Sequence, residues 1–269
     1  MKLLPKRGRV AVMELFGVIG GAVRPSQYVP LLEAVRRNRS LRALVLDVDS
    51  PGGQAAASAE IHGAVRRVAE VKPVVAYIRG TGASGAYYVS AAAHRIVAMP
   101  DALVGSIGVI AVRPVLSEML QRVGVAMNVQ KSGRLKDMHQ PWRAPTDEEQ
   151  AVTQRLLDDI YDSFVAAVAQ GRKMDEDKVR ELATGEVFTA RRAHSLGLVD
   201  LLGDAEMALD LAAGVAGIRR RVKRIRPRRP LFRGLMRGAA EEAALSMLEE
   251  VEARLYGRVM MGGGGQRRW

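Results

Sequence analysis

Residues 80–90 read G-T-G-A-S-G-A-Y-Y-V-S, a serine set in glycine and alanine and followed at once by two tyrosines. A turn alone has no use for the apolar run behind it, and a core helix would not open on Gly80, Gly82 and Gly85. The pattern reads as a strand end, a tight bend and a helix start, with Ser84 at the bend. A serine there is most simply an N-cap; its chemical alternative is a nucleophile for acyl transfer. The hydrolase elbow G-x-S-x-G does not fit, since Ala86 stands where its second glycine belongs. A second stretch, D-S-P-G-G at 49–53, also ends an apolar run before a helix. Its glycines admit close backbone approach and φ > 0, which suits an oxyanion hole, a phosphate cradle or a sharp turn.

A serine hydroxyl becomes a nucleophile only with a base in hydrogen-bond reach. His94 lies ten residues beyond Ser84, roughly 15 Å along one helix, and is too far. His62, His139 and His194 are scattered, without HxH or HExxH spacing, so no histidine metal site is read. A lysine can serve when burial lowers its pKa towards neutrality. The segment K-S-G-R-L-K-D offers both Lys131 and Lys136, and spacing does not choose between them.

The elements that must position these groups alternate in a parallel α/β rhythm. Strands are expected at 9–16, 41–48, 73–78, 95–99 and 126–130, with G-S-I-G-V-I inside an apolar stretch at 102–112. Helices fill 25–38, 55–71, 85–93 and 114–123. Near-continuous apolar strands separated by helical periods predict a largely parallel sheet covered on both faces. That architecture gathers the two glycine-rich strand ends at one carboxyl edge, where open α/β sheets hold ligands. After Gly133 helices predominate. Thr146 and Glu149 form a capping box for a helix reaching about Lys173, and shorter helices follow near 175–183, 190–196 and 204–215.

The 269 residues suffice for a large core. The absence of cysteine excludes disulfides, thiolate metal sites and a cysteine nucleophile, and fits a reducing compartment. The net charge of +12 is local: Arg219 to Arg237 holds ten Arg or Lys and no acid, while residues 1–218 net only +3. Domain boundaries are therefore expected at 1–216 and 217–269, the latter a basic linker, a helical segment Ala239 to Tyr256 and a glycine run. Val10 to Val23 is too short to span a bilayer and carries Glu14, so it reads as a strand rather than a membrane helix or signal peptide.

In their order, these stretches resemble the S49 serine peptidases, the signal peptide peptidase A family, which has the Clp protease and crotonase type of fold. D-S-P-G-G is similar to the family's oxyanion loop, and G-A-S-G-A-Y-Y to its nucleophile segment. G-S-I-G-V-I is a further signature. K-S-G-R-L-K-D-M-H-Q-P-W-R-A-P-T-D-E-E resembles the lysine-bearing segment, and G-E-V-F-T-A-R-R-A-H-S-L-G-L-V-D a later one. The resemblance spans about residues 8–205. It implies a serine endopeptidase with a Ser–Lys dyad, in which Ser84 is the nucleophile and Lys136, not Lys131, the base. Ser106 would hold the lysine, the N–H groups of Gly53 and Gly85 the oxyanion, and Tyr87 and Tyr88 would wall the pocket. No cofactor or metal is implied. Substrates would be membrane-derived leader peptides or other unfolded apolar peptides, and the assembly a homo-oligomer. Rival readings are a crotonase-type acyl-CoA enzyme and a non-catalytic scaffold.

Two departures accompany the resemblance: Ala86 replaces a common glycine, and the family's membrane anchor is not found. The expected location is thus cytoplasmic, with the basic segment Arg219 to Arg237 giving peripheral contact to an anionic membrane. Leu231, Phe232, Leu235 and Met236 interleave the arginines and favour lipid over nucleic acid.

Overall fold

The computed structural model describes residues 8–227. The expected strands and crossover helices open the chain: β1 (Arg9–Phe16), α1 (Pro25–Arg37), β2 (Leu41–Ser50), α2 (Ala55–Ala69), β3 (Val74–Ala83) and α3 (Gly85–Ser90). Then come β4 (Arg95–Ala98), β5 (Leu103–Gly105), α4 (Ser117–Arg122), α5 (Asp147–Arg172) and α6 (Glu176–Leu182). The chain closes with β6 (Val187–Thr189), α7 (Ala190–Ser195), β7 (Leu201–Leu202), α8 (Ala205–Ala216) and β8 (Val222–Ile225).

The sheet runs β6-β5-β3-β2-β1-β8, with β4 on β3 and β7 on β4. Every pairing is parallel except that of β5 with β6. Strand β3 is shared lengthwise: its first half pairs with β4 and its last residues, Thr81 to Ala83, with β5. This splay brings the end of β5 beside Ser84.

Alternation along each strand divides two cores. Ala11, Met13 and Leu15 of β1 face α1, α2, α3 and α5, where Leu32, Ile61, Val65, Val89, Phe164 and Val168 complete the larger core. Val10 and Val12 face the other way with Val45, Val75 and Tyr77, under Ala208, Ala212 and Ala213 of α8. Strands buried on both faces carry apolar residues in unbroken runs, and for that reason β2 and β3 were readable without a period-two pattern.

Five segments differ from expectation, among them β6 and β7, which are absent from the expected strands. Residues 126–130 form no strand: the sheet continues beyond β5 through β6 instead, and the alternating Val125, Met127 and Val129 stay exposed. The apolar stretch 102–112 yields only the three residues of β5. Conversely V-K-R-I at 222–225, inside the basic segment, pairs in parallel with β1, where Val10 lies opposite Val222 and Met13 opposite Ile225. Residues 228–269, including the expected helix Ala239 to Tyr256 and Leu231, Phe232, Leu235 and Met236 of the basic segment, lie outside the described residues. Among the described residues no helix is long and apolar enough to cross a membrane.

Candidate active site

Ser84 occupies the joint between β3 and α3 with φ 49° and ψ −125°, a positive-φ conformation that costs a non-glycine residue about 1–3 kcal/mol and persists only where neighbours enforce it. The neighbours are backbone. Ser84 N–H donates to the Gly105 carbonyl at 2.8 Å, and Tyr88 N–H to the Ser84 carbonyl at 2.9 Å. The D-S-P-G-G loop presses from the other side. A Cβ on Gly52 would lie 2.7 Å from Gly85 N and 2.8 Å from Ser84 Cβ. The strand–turn–helix geometry of a nucleophile elbow thus arises although the second glycine of its sequence pattern is absent; Ala86 is buried in the helix and causes no conflict.

Gly53 is fixed by a third segment. Ile19 N–H donates to Gly52 O at 2.7 Å and Gln54 N–H to Ile19 O at 3.0 Å, which holds Gly53 at φ 151° with its Cβ position 2.1 Å from Ile19 O. Only glycine fits. Gly85 is equally confined, since a Cβ there would meet Ser58 Oγ at 2.2 Å and Gly53 N at 3.4 Å. Among the described residues neither the N–H of Gly53 nor that of Gly85 has a hydrogen-bond acceptor. Two free donors beside a strained serine are what an oxyanion site requires.

Gly53, Ser84, Gly85 and Ser106 line one cavity of about 820 Å³, whose apolar wall includes Ala55, Ala59, Tyr88, Val109, Ile160 and Phe164. Ser106 also has positive φ, 50°, and its N–H donates to Glu186 O at 2.7 Å. The two tyrosines divide their tasks. Tyr88 lines the cavity, edge-on to Phe164 at 4.9 Å. Tyr87 points into the core, where its hydroxyl donates to Leu198 O at 2.8 Å and burial raises its pKa; it pins α3 rather than walling the pocket.

Lys136 is not among the residues that line this cavity. It sits exposed on the turn 131–137, held through its backbone N–H to Gly133 O at 3.1 Å. Lys131 is occupied otherwise: its Nζ lies 2.5 Å from Asp137 Oδ1 and 3.0 Å from Arg134 O. Asp137 is buried, and hydrogen bonds from Arg143 and then Lys131 hold its carboxyl well below the usual range. Its role was not legible in the sequence, nor was that of Arg143, because a six-residue spacing in a loop matches no helix or strand period. Ser58, whose Oγ donates to Gln54 O at 2.9 Å beside the D-S-P-G-G loop, reads in the sequence as one more small residue of α2.

None of the histidines bonds Ser84. His62 is buried behind Tyr88, ring centroids 4.6 Å apart, and burial lowers its pKa to about 4, so it is neutral at pH 7. His94 Nδ1 accepts from Val74 N–H at 3.1 Å and His194 Nδ1 lies 3.0 Å from Val199 O.

With this geometry in view, residues 66–219 match the sequence pattern of peptidase family S49. Over 214 residues the chain is 38% identical to the protease-type protein slr0021 of Synechocystis sp., covering 79% of this chain and 76% of that one. It is 38% identical over 187 residues to a signal peptide peptidase SppA-type protein of Enterococcus faecium, covering 68% of this chain and 54% of the other, so it spans about half the length of that relative. In three dimensions it resembles a lysine-to-alanine mutant of the 1510-N membrane-bound stomatin-specific protease in complex with a substrate peptide. That match has a TM-score of 0.51 and 17% identity, and covers 84% of this chain and 94% of the other.

Proposed function

This chain belongs to peptidase family S49, and on that premise we propose that it is a serine endopeptidase whose dyad is Ser84 and Lys136. The observation that carries the reading is the free pair of N–H groups on Gly53 and Gly85 beside the positive-φ Ser84. Ser84 Oγ attacks the scissile carbonyl as the neutral Lys136 amine takes its proton. The alkoxide rests on the two glycine donors, each worth about 3–4 kcal/mol in the transition state. Lys136 returns the proton to the departing amine, and water then opens the ester. Ser106, which lines the same cavity as Ser84, holds the lysine amine when it engages. Family membership favours this chemistry over the acyl-CoA reading, which needs no serine nucleophile.

Substrates are unfolded apolar peptides, leader fragments released from membranes among them. What supports this is the wall of Ala55, Ala59, Val109, Ile160 and Phe164, which suits an extended apolar segment, with Asp159 the one charged residue of the lining. A homo-oligomer is part of the reading. Ile110 and Val112 are 85% and 86% exposed, and Val115, Met119 and Val123 follow them. So much apolar surface beside the cavity suits a protein partner, and an adjoining copy can seat the lysine-bearing segment against Ser84.

The basic segment from Arg219 serves peripheral contact with anionic lipid at the cytoplasmic face. Within its described part Glu14 takes both Arg224 at 3.1 Å and Arg226 at 2.7 Å, which leaves Arg219, Arg221 and Lys223 as the freer charges there.

Mass spectrometry after treatment with a serine-reactive fluorophosphonate tests the dyad. Label on Ser84 in the intact chain, with at least about 100-fold slower labelling in Lys136→Ala, is expected. Equal labelling of the two proteins would overturn the assignment of the base, and label on another serine that of the nucleophile.

A further inference from the structure

The turn that carries Lys136 is tied to the longest helix through one arginine. Lys131 Nζ and Asp137 Oδ1, 2.5 Å apart, close the turn across its ends. Asp137 then receives Arg143, with Nε 3.1 Å from Oδ2 and Nη2 3.0 Å from Oδ1. The same guanidinium continues to Glu149, Nη1 lying 2.8 Å from Oε2 and Nη2 bonding Oε1. Glu149 is the third residue of α5 and completes the capping box: its Oε2 accepts from Thr146 N–H at 2.9 Å, and Thr146 Oγ1 accepts from Glu149 N–H at 3.3 Å. From there α5 runs into the core through Phe164, Val165 and Val168. A second tie, Arg134 to Glu148, runs alongside the first.

Asp137 and Glu149 are both buried carboxylates that share one cation. The guanidinium serves both carboxylates from three nitrogens in one fixed plane, a forked geometry that the single nitrogen of an ammonium does not reproduce. The arrangement also sorts the cations of the turn. Lys131 is spent on Asp137 and Arg134 on Glu148, whereas the Lys136 amine makes no ion pair or hydrogen bond with another described residue. An amine engaged by no other side chain is the one left free to meet the serine hydroxyl.

We propose that Arg143 is a positioning residue for the reaction: by joining Asp137 to Glu149 it fixes the 131–137 turn so that the Lys136 amine is presented at a set height above α5, free of any carboxylate. The inference rests on the reading of Lys136 as base. Displacement of a reacting group by about 1 Å costs on the order of 100-fold in rate, so the latch acts on kcat and leaves peptide binding to the cavity wall.

The test uses the full chain with Arg143→Lys, Arg143→Ala and Lys136→Ala, read by peptide turnover and by amide hydrogen exchange. In Arg143→Lys, exchange should rise over 131–140 and stay unchanged over 84–93; kcat should fall about 10- to 100-fold with KM within about twofold. Guanidinium ion added to Arg143→Ala should recover part of the lost kcat. Unchanged exchange over 131–140, unchanged kcat, or a loss that follows melting of the whole chain with no guanidinium rescue each overturns the proposal. An active Lys136→Ala overturns it too, but through the base: the turn would still loosen in Arg143→Lys, which separates failure of the dyad reading from failure of the latch.

Discussion

Ser84 is surrounded by backbone atoms of two other strand ends, whereas Lys136 rides on a turn whose neighbours are charged side chains. The first half of the site is built by close approach. Gly52, Gly53 and Gly85 are each placed where a Cβ would overlap a neighbour by more than contact allows, and the sheet beneath them is buried on both faces. The second half hangs from Arg143 and two carboxylates, and much of the chain between β5 and α5 is exposed. In the proposed roles of nucleophile and oxyanion donors, Ser84, Gly53 and Gly85 must be fixed against each other to fractions of an ångström, which packed backbone provides. Lys136, in the proposed role of base, must meet that serine, which a tethered turn permits.

The contrast is broken most severely at Gly53. Gly53→Ala puts a methyl group 2.1 Å from Ile19 O at φ 151°, and backbone must move to admit it. Loss of that donor's alignment should lower kcat by about 10²–10³-fold, with KM for a short peptide changed far less. Steady-state kinetics check this. A Gly53→Ala enzyme within tenfold of the parent would mean that the oxyanion is bound elsewhere.

The two halves also differ in acid, and the sign is opposite to the usual intuition about ion pairs. His62, behind Tyr88, has its folded pKa depressed by burial, and secondarily by Arg66, to about 4. The unfolded chain therefore binds this proton first. Stability linked to His62 is complete above about pH 6.5 and is lost as pH falls from there to about 4, by up to about 2–3 kcal/mol. Glu149 in the latch has its folded value lowered to about 2, by Arg143 and then by Thr146 N–H, so its contribution is complete above the ordinary carboxylate range and is lost as pH falls from there to about 2. The packed half should thus weaken first. His62→Phe keeps a ring beside Tyr88 and removes the titration, so thermal melting of the variant should change little between pH 7.5 and 4.5 while the parent falls; parallel curves would show that His62 does not set the acid limb.

How far the sequence carries depends on which half is read. Glycines that only glycine can satisfy, and strands apolar on both faces, leave marks in composition, so 49–53 and 80–90 were legible as converging strand ends before any coordinates. The capping box was legible because Thr146 and Glu149 stand at a fixed spacing. Arg143 was not, since its partners lie six residues to either side, Asp137 in the preceding turn and Glu149 at the start of α5. The alternation in residues 125–130 misled because a strand pattern does not say whether a sheet edge is free. The V-K-R-I of β8 was overlooked for the converse reason: an edge strand needs only one apolar side, and its charges blunt further pairing.

Tyr87 sharpens the packed half on a smaller scale. Its hydroxyl is the only group joining α3 to Leu198 O by a hydrogen bond among the described residues, and it lies fully buried. Tyr87→Phe leaves that carbonyl unpaired and should cost about 1–2 kcal/mol of stability in denaturant titration. A variant as stable as the parent would show that burial of the ring alone holds α3.

The smallest effect belongs to the edge where ion pairs sit on the surface. Glu14 of β1 receives Arg224 and Arg226 of β8, and those hydrogen bonds and charges lower its pKa, although partial burial opposes the shift. The arginines are 63% and 61% exposed, so water and salt screen the pairs to about 0.2–1 kcal/mol each. What secures β8 is the backbone ladder from Val10 to Met13, which does not titrate. Glu14→Gln keeps the side chain's length and a carbonyl acceptor while removing the charge. It should lower the melting temperature by no more than about 3 °C at low salt, with the difference shrinking as salt is added. The same variant frees Arg224 and Arg226, so binding to vesicles containing anionic lipid should strengthen by the contribution of two cations. A fall of 10 °C or more would place Glu14 with Arg143, as a charge on which the local fold depends, and the division between packed and tethered regions would have to include the sheet edge.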